Sequence, residues 1–181
     1  MLFLVNLAEF LYPGYSVSQD YISKLGVGPT DVRIVFMVAL FLFGGMALVT
    51  SWLLRQRRLG SRVWLFIALT GIGAIGVGVF DMDAFSEVHA AFAVLAFVFG
   101  NLAAIFSFRL VPPPICVIFV ILGVIGLTAF ALFAAHVYLG IGAGGMERIV
   151  FYPAMFWALG FGAYLLSDEA AGGSSSKAEN R

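Results

Sequence analysis

The stretch VRIVFMVALFLFGGMALVTSWLLRQRRLGSRVWLFIALTGIGAIGVGVF, residues 32–80, holds two long apolar runs around a knot of four arginines, Arg55, Arg57, Arg58 and Arg62. Neither run alternates polar and apolar positions as a half-buried strand would, and each is close to the ~20 residues that carry a helix across a bilayer. Hydrocarbon offers the backbone no water, so runs of this kind are helical. The glycines of 71–78, GIGAIGVG, superficially evoke a dinucleotide loop. No strand precedes them, so they read as positions where helices pack closely.

Three more runs of the same character follow, at roughly 88–110, 115–139 and 149–166. A shorter apolar run at 2–12 would rise only ~16 Å as a helix, and reads as a truncated or half-inserted first segment. The expected fold class is therefore all-α: a polytopic transmembrane helical bundle of about six membrane segments, the first one short. One domain covers 1–167, and the small, polar residues 168–181 are expected to be a disordered cytoplasmic tail. Composition agrees, with 62% hydrophobic residues, 11% charged residues and a mean hydropathy of +1.03. A soluble domain carries about a quarter charged residues, so lipid is the solvent for most of this chain.

Several function classes fall away. The single cysteine, Cys116, lies in an apolar run, so the chain builds neither a disulfide framework nor a thiolate metal site by itself. No basic patch interleaved with aromatics points to nucleic acid. The start, MLFLVNLAEFLYPGY, lacks the basic n-region and small-residue cleavage site of a secretory signal. Alternating the spans from the arginine knot places Arg55, Arg57, Arg58, Arg62, Arg109, Lys177 and Arg181 on one face, seven of the ten basic residues. That face is expected to be cytoplasmic, with both termini, in the cell membrane.

The opposite face then holds the loop at 12–31, YPGYSVSQDYISKLGVGPTD, with FDMDAFSEVHA at 80–90 and GIGAGGMERIVFY at 140–152. Six of the ten acidic residues collect there (Asp20, Asp31, Asp81, Asp83, Glu87 and Glu147), and so do both histidines, His89 and His136.

Three stretches, YPGYSVSQDYISKLGVGP, GVGVFDMDAFSEVHAAFA and GGMERIVFYPAMFW, together resemble the DUF998 family of uncharacterised polytopic membrane proteins. The likeness spans nearly the whole chain, and a more distant one, by helix count, is to the Frag1/DRAM-like group of six-helix membrane proteins. It implies the fold and carries over no activity.

Each outer residue has a plain reading beside a sharper one. Asp83 stands where a helix N-cap would, and Glu87 suits the positive end of the same helix. His89 falls one turn inside a membrane helix, where an ionisable group is by default a functional hypothesis. His136, near the end of the next long run, would gain its charged form from the helix dipole, while Tyr138 suits an aromatic belt. His89, His136 and Glu87 are weak candidates for a divalent metal such as zinc, because no HExxH, HxH or HxxxH spacing is present. Glu147 and Arg148 are expected at the start of the last helix, as a cap and a snorkelling arginine or as an anchor for an anionic lipid group. Glu9 needs a partner across the bundle, with Arg33, Lys24 or a histidine in view, and Asn101 should hydrogen-bond another helix.

The loop is expected to fold back at Pro13-Gly14 and to lie over a polar pocket, with Tyr15 and Tyr21 along the interface and Asp20 and Ser23 turned inward. His89 and His136 would converge there with Glu87 or Asp81, Glu147 and Arg148. The leading functional expectation is recognition or modification of a membrane lipid headgroup at that pocket. A small-solute or ion transporter or channel and a noncatalytic assembly scaffold are the alternatives. No nucleophile–base spacing is legible, and Ser23 and Ser86 are no more than candidates.

Overall fold

The computed structural model describes residues 1–57 and 62–179, with side chains through Ser167. Among the described residues six α-helices run in order: α1 Leu2–Leu11, α2 Thr30–Gln56, α3 Val63–Val79, α4 Ser86–Phe106, α5 Ile115–Ala134 and α6 Gly142–Glu179. Short 3-10 helices at Ile22–Val27 and Ser107–Arg109 sit in the connections, and the described residues contain no strand. Four stretches, Thr30–Gln56, Ser86–Arg109, Ile115–Ala134 and Gly142–Ser167, are long and apolar enough to cross a membrane. Leu2–Leu11 and Val63–Val79 are shorter apolar helices. At 17 residues, α3 rises about 26 Å, a little under the ~30 Å hydrocarbon thickness.

Consecutive helices pack as neighbours, and α4 also touches α6. The glycine-rich run is a packing surface, as its context implied. A side chain at Gly76 would collide with the Phe92 ring, and a Cβ at Gly73 would come within 2.5 Å of the Ala96 amide nitrogen. Two large apolar clusters fill the bundle. One, around Val5, Leu25, Phe36 and Phe151, lies under the 12–29 loop. The other, around Leu54, Val63, Phe119 and Trp157, lies toward the arginine-bearing end. Asn101 crosses between helices as expected, its Nδ2 donating to the Val150 carbonyl at 3.2 Å.

The helix bounds correct three expectations. The helix of the fifth run ends at Ala134, so His136 lies outside it, in a turn, with a φ of 58°. The last helix begins at Gly142 rather than near 149, which puts Glu147 and Arg148 inside it instead of at its start. Glycine hid this early start, because it is a poor helix former. Here it serves close approach: a side chain at Gly142 or Gly144 would collide with the Ser18 or Asp20 carbonyl. Asp83 is not the N-cap of α4; Phe85 holds that position without a side-chain cap. Asp81 ties the turn instead, its Oδ1 accepting from the Asp83 amide at 3.1 Å and the Ala84 amide at 2.7 Å. Arg58, within the arginine knot, lies outside the described residues. The backbone of α6 is helical to Glu179, where composition leads one to expect a disordered tail over 168–181; the side chains beyond Ser167 lie outside the described residues.

Candidate functional site

The polar groups at the loop end are organised by two adjacent residues of α6. Arg148 is buried and binds four partners. Its Nη2 donates to Glu9 Oε1 at 2.6 Å and to the Tyr15 hydroxyl at 2.8 Å. Its Nη1 donates to the Asp20 carbonyl at 3.2 Å and to the Gly144 carbonyl at 2.8 Å. The Tyr15 hydroxyl passes its own hydrogen to the Tyr21 carbonyl at 2.8 Å. One guanidinium thus joins α1, the loop and α6. Glu147, also buried, takes the Ile22 amide on Oε2, with the Ser23 amide on the same carboxylate. The glycines before it let the loop backbone lie directly on the helix, where the Gly145 amide donates to the Ser18 carbonyl at 3.0 Å. The loop is bolted down rather than loose.

Outside the spans, the electrostatics agree with this packing. The Lys24 ammonium, 2.6 Å from Asp20 Oδ1, and the Ser16 amide hold the Asp20 carboxyl below its ordinary range. Burial raises the Tyr15 phenol against the opposing pull of the Arg148 hydrogen bond. The Tyr21 phenol is pushed up to about 12, first by its hydrogen bond with Tyr138 and then by burial.

Beneath the loop lies a cavity of about 60 Å³. Its walls include Phe36, Leu40, Phe97 and Met155, and its polar groups are Ser23, Thr70, His89 and Glu147. A second space of about 30 Å³, reaching Arg33 and Asp81, shares Ser23, Phe36, Val77 and His89 with the first. His89 therefore stands where the two adjoin. It is buried, and its Nδ1 lies 2.7 Å from the Phe80 carbonyl.

The structure gathers Tyr15, Tyr21, Asp20, Ser23, Glu147 and Arg148 under or within the loop, and it places His89 on the same cavity as Glu147 and Ser23. It does not bring His136 into that group. His136 is exposed, its ring edge-on to Tyr138 at 6.3 Å, because α5 ends before it. Asp83 and Glu87 are exposed as well, and Asp81 reaches only the smaller space. Among the described residues no three His, Cys, Asp or Glu side chains are placed to hold a metal, which removes the His89, His136 and Glu87 set as a ligand group. Glu9 pairs with Arg148 rather than with Arg33, Lys24 or a histidine. Glu9 is the site residue whose role sequence reasoning missed. The signal was there: two ionisable groups of opposite sign, each inside an apolar helix.

The model of one protein family, described as "Protein of unknown function (DUF998)", matches residues 1–164. The match carries the DUF998 likeness and not the Frag1/DRAM-like one. No curated protein and no solved structure matches the chain.

Proposed function

The chain belongs to the DUF998 family, and from that footing we propose that it is a multi-pass membrane protein that holds the polar end of a membrane lipid in the cavity beneath its 12–29 loop. The observation that carries this reading is the make-up of that cavity: phenylalanine and aliphatic walls with His89, Ser23, Thr70 and Glu147 as its polar groups. Ligand sites of this kind are mostly apolar, with a few placed polar groups that fix orientation. A lipid end seated there sets its first carbons against the walls and its head against His89 and Glu147. Arg148 is not the anchor, because it does not line the cavity and both of its terminal nitrogens are committed to Glu9, Tyr15 and two carbonyls.

The proposed orientation puts this loop on the outer side of the cell membrane and both termini in the cytoplasm, as the distribution of basic residues favours. A transport path has less support. Toward the arginine-bearing end the bundle closes on an apolar cluster, and the hydroxyls of Thr70 and Ser107 give their hydrogens to nearby carbonyls, Thr70 to Phe66 at 2.9 Å and Ser107 to Ala104 at 2.6 Å. Native mass spectrometry of the purified protein tests the reading. A lipid of defined mass should stay bound to the wild-type chain and be lost from His89→Phe. A bare mass in every mild detergent tried would overturn it.

A further inference from the structure

We infer that the cavity selects a lipid whose head donates hydrogen bonds, a hydroxyl or an amine, and turns away an anionic phosphate; this rests on the lipid-binding reading above.

The ground is the hydrogen-bond inventory of the cavity. A carbonyl only accepts, so at 2.7 Å from the Phe80 oxygen the His89 Nδ1 must carry the hydrogen. In the neutral ring Nε2 then bears the lone pair, and it makes no hydrogen bond among the described residues. Thr70 gives its hydrogen to the Phe66 carbonyl, which leaves its oxygen only accepting capacity. Glu147 turns its carboxyl to the backbone amides of Ile22 and Ser23, and accepts their hydrogens. Ser23 alone can serve either way. The His89 Nε2 and the Thr70 oxygen are left to accept from a donor.

Charge points the same way. No lysine or arginine side chain lines the larger cavity. Arg148, next in the chain to Glu147, is turned to Glu9 instead. A phosphate seated there would be stripped of water beside the Glu147 carboxyl and find no lysine or arginine side chain to pair with, an arrangement that buried anions avoid. Arg33 reaches only the smaller space, where Asp81 shares the wall. A hydroxyl on an apolar chain carries no charge to desolvate, and an amine brings donors to the same acceptors. At about 60 Å³ the cavity holds about four water-sized groups, enough for a small head and the first carbons behind it.

The test compares three probes of equal chain length, 1-dodecanol, dodecylamine and dodecyl phosphate, titrated below micelle formation into full-length protein in a mild nonionic detergent. Binding is read as a saturable rise in melting temperature. The alcohol and the amine should bind at least about tenfold more tightly than the phosphate. His89→Phe should weaken the alcohol by about tenfold, the worth of one well-placed hydrogen bond. Glu147→Gln should keep the alcohol and lose any preference for the amine over it. Where His89→Phe fails to fold, His89→Thr replaces it with the same expectation. Phosphate binding as tight as the alcohol would overturn the inference and leave the lipid reading standing. Saturable binding of none of the three would overturn both. Alcohol binding unchanged by substitution at His89 would show partition into detergent or another surface, and would overturn the inference as well.

Discussion

The Arg148 guanidinium lies 2.6 Å from the Glu9 carboxylate, with the two side chains 5% and 8% exposed, and joins the last helix to the first across 139 positions of sequence. Each group alone would be a charge stranded at membrane depth. Together with Tyr15, the Asp20 carbonyl of the loop and the Gly144 carbonyl of α6 they form a polar cluster that seats α1 against the bundle.

Removing one partner leaves the other buried and unpaired, which typically costs about 3–5 kcal/mol. Glu9→Leu and Arg148→Met should therefore each lower the melting temperature in detergent sharply. The double substitution, which strands no charge, should recover much of the loss. A double variant that simply adds the two single effects would show that the residues do not act as a pair.

Asn101 and Gly126 form a second coupled pair. The Asn101 side chain is fully buried, its Oδ1 has no hydrogen-bond partner, and a Cβ placed on Gly126 would collide with that oxygen. Gly126→Ala should destabilise the bundle by about 1–3 kcal/mol through overpacking. Adding Asn101→Ala opens the space and should make the alanine at 126 less costly than it is against asparagine. Equal costs in both backgrounds, measured by thermal unfolding, would rule out this contact as the source.

The loop should be sensitive to pH at both extremes. Asp20 has its folded pKa depressed, so its contribution is present above the unfolded value of about 3.9 and is lost as pH falls through the lower, folded value. Tyr21 has its pKa raised to about 12, so its contribution is present below about 10 and is lost as pH rises toward 12. Limited proteolysis of residues 12–29 should be slow between these limits and faster outside them. Asp20→Asn should abolish the acid limb alone, and an acid limb that survives it would refute the assignment.

The proposed orientation predicts a labelling pattern. With Cys116 replaced by serine, a cysteine at Asp83, exposed in the α3–α4 turn, should react in intact cells with a membrane-impermeant maleimide. A cysteine at Phe108, exposed in the α4–α5 connection, should react only after permeabilisation. The reverse pattern would invert the topology.

Local chemistry was readable without the fold. Runs that apolar must become helices in lipid, whatever their neighbours, and glycines inside them must mark close packing, as Gly73 and Gly76 do against α4. Asn101, a lone amide in such a run, had to find a carbonyl on another helix, and it found Val150. A loop rich in tyrosine beside acidic residues was legible as a cover. The register at which the helices meet was not. His136 was expected in the site because its run reads as apolar past 134, yet the chain turns just before it and leaves it exposed. Arg148 reads as a lipid anchor in isolation and becomes an internal tie once the half-length α1 sets Glu9 beside it. Burial and hydropathy act residue by residue, so one chain displays them. A desolvated charge is satisfied only by the partner that packing delivers, and only the assembled bundle decides which one that is.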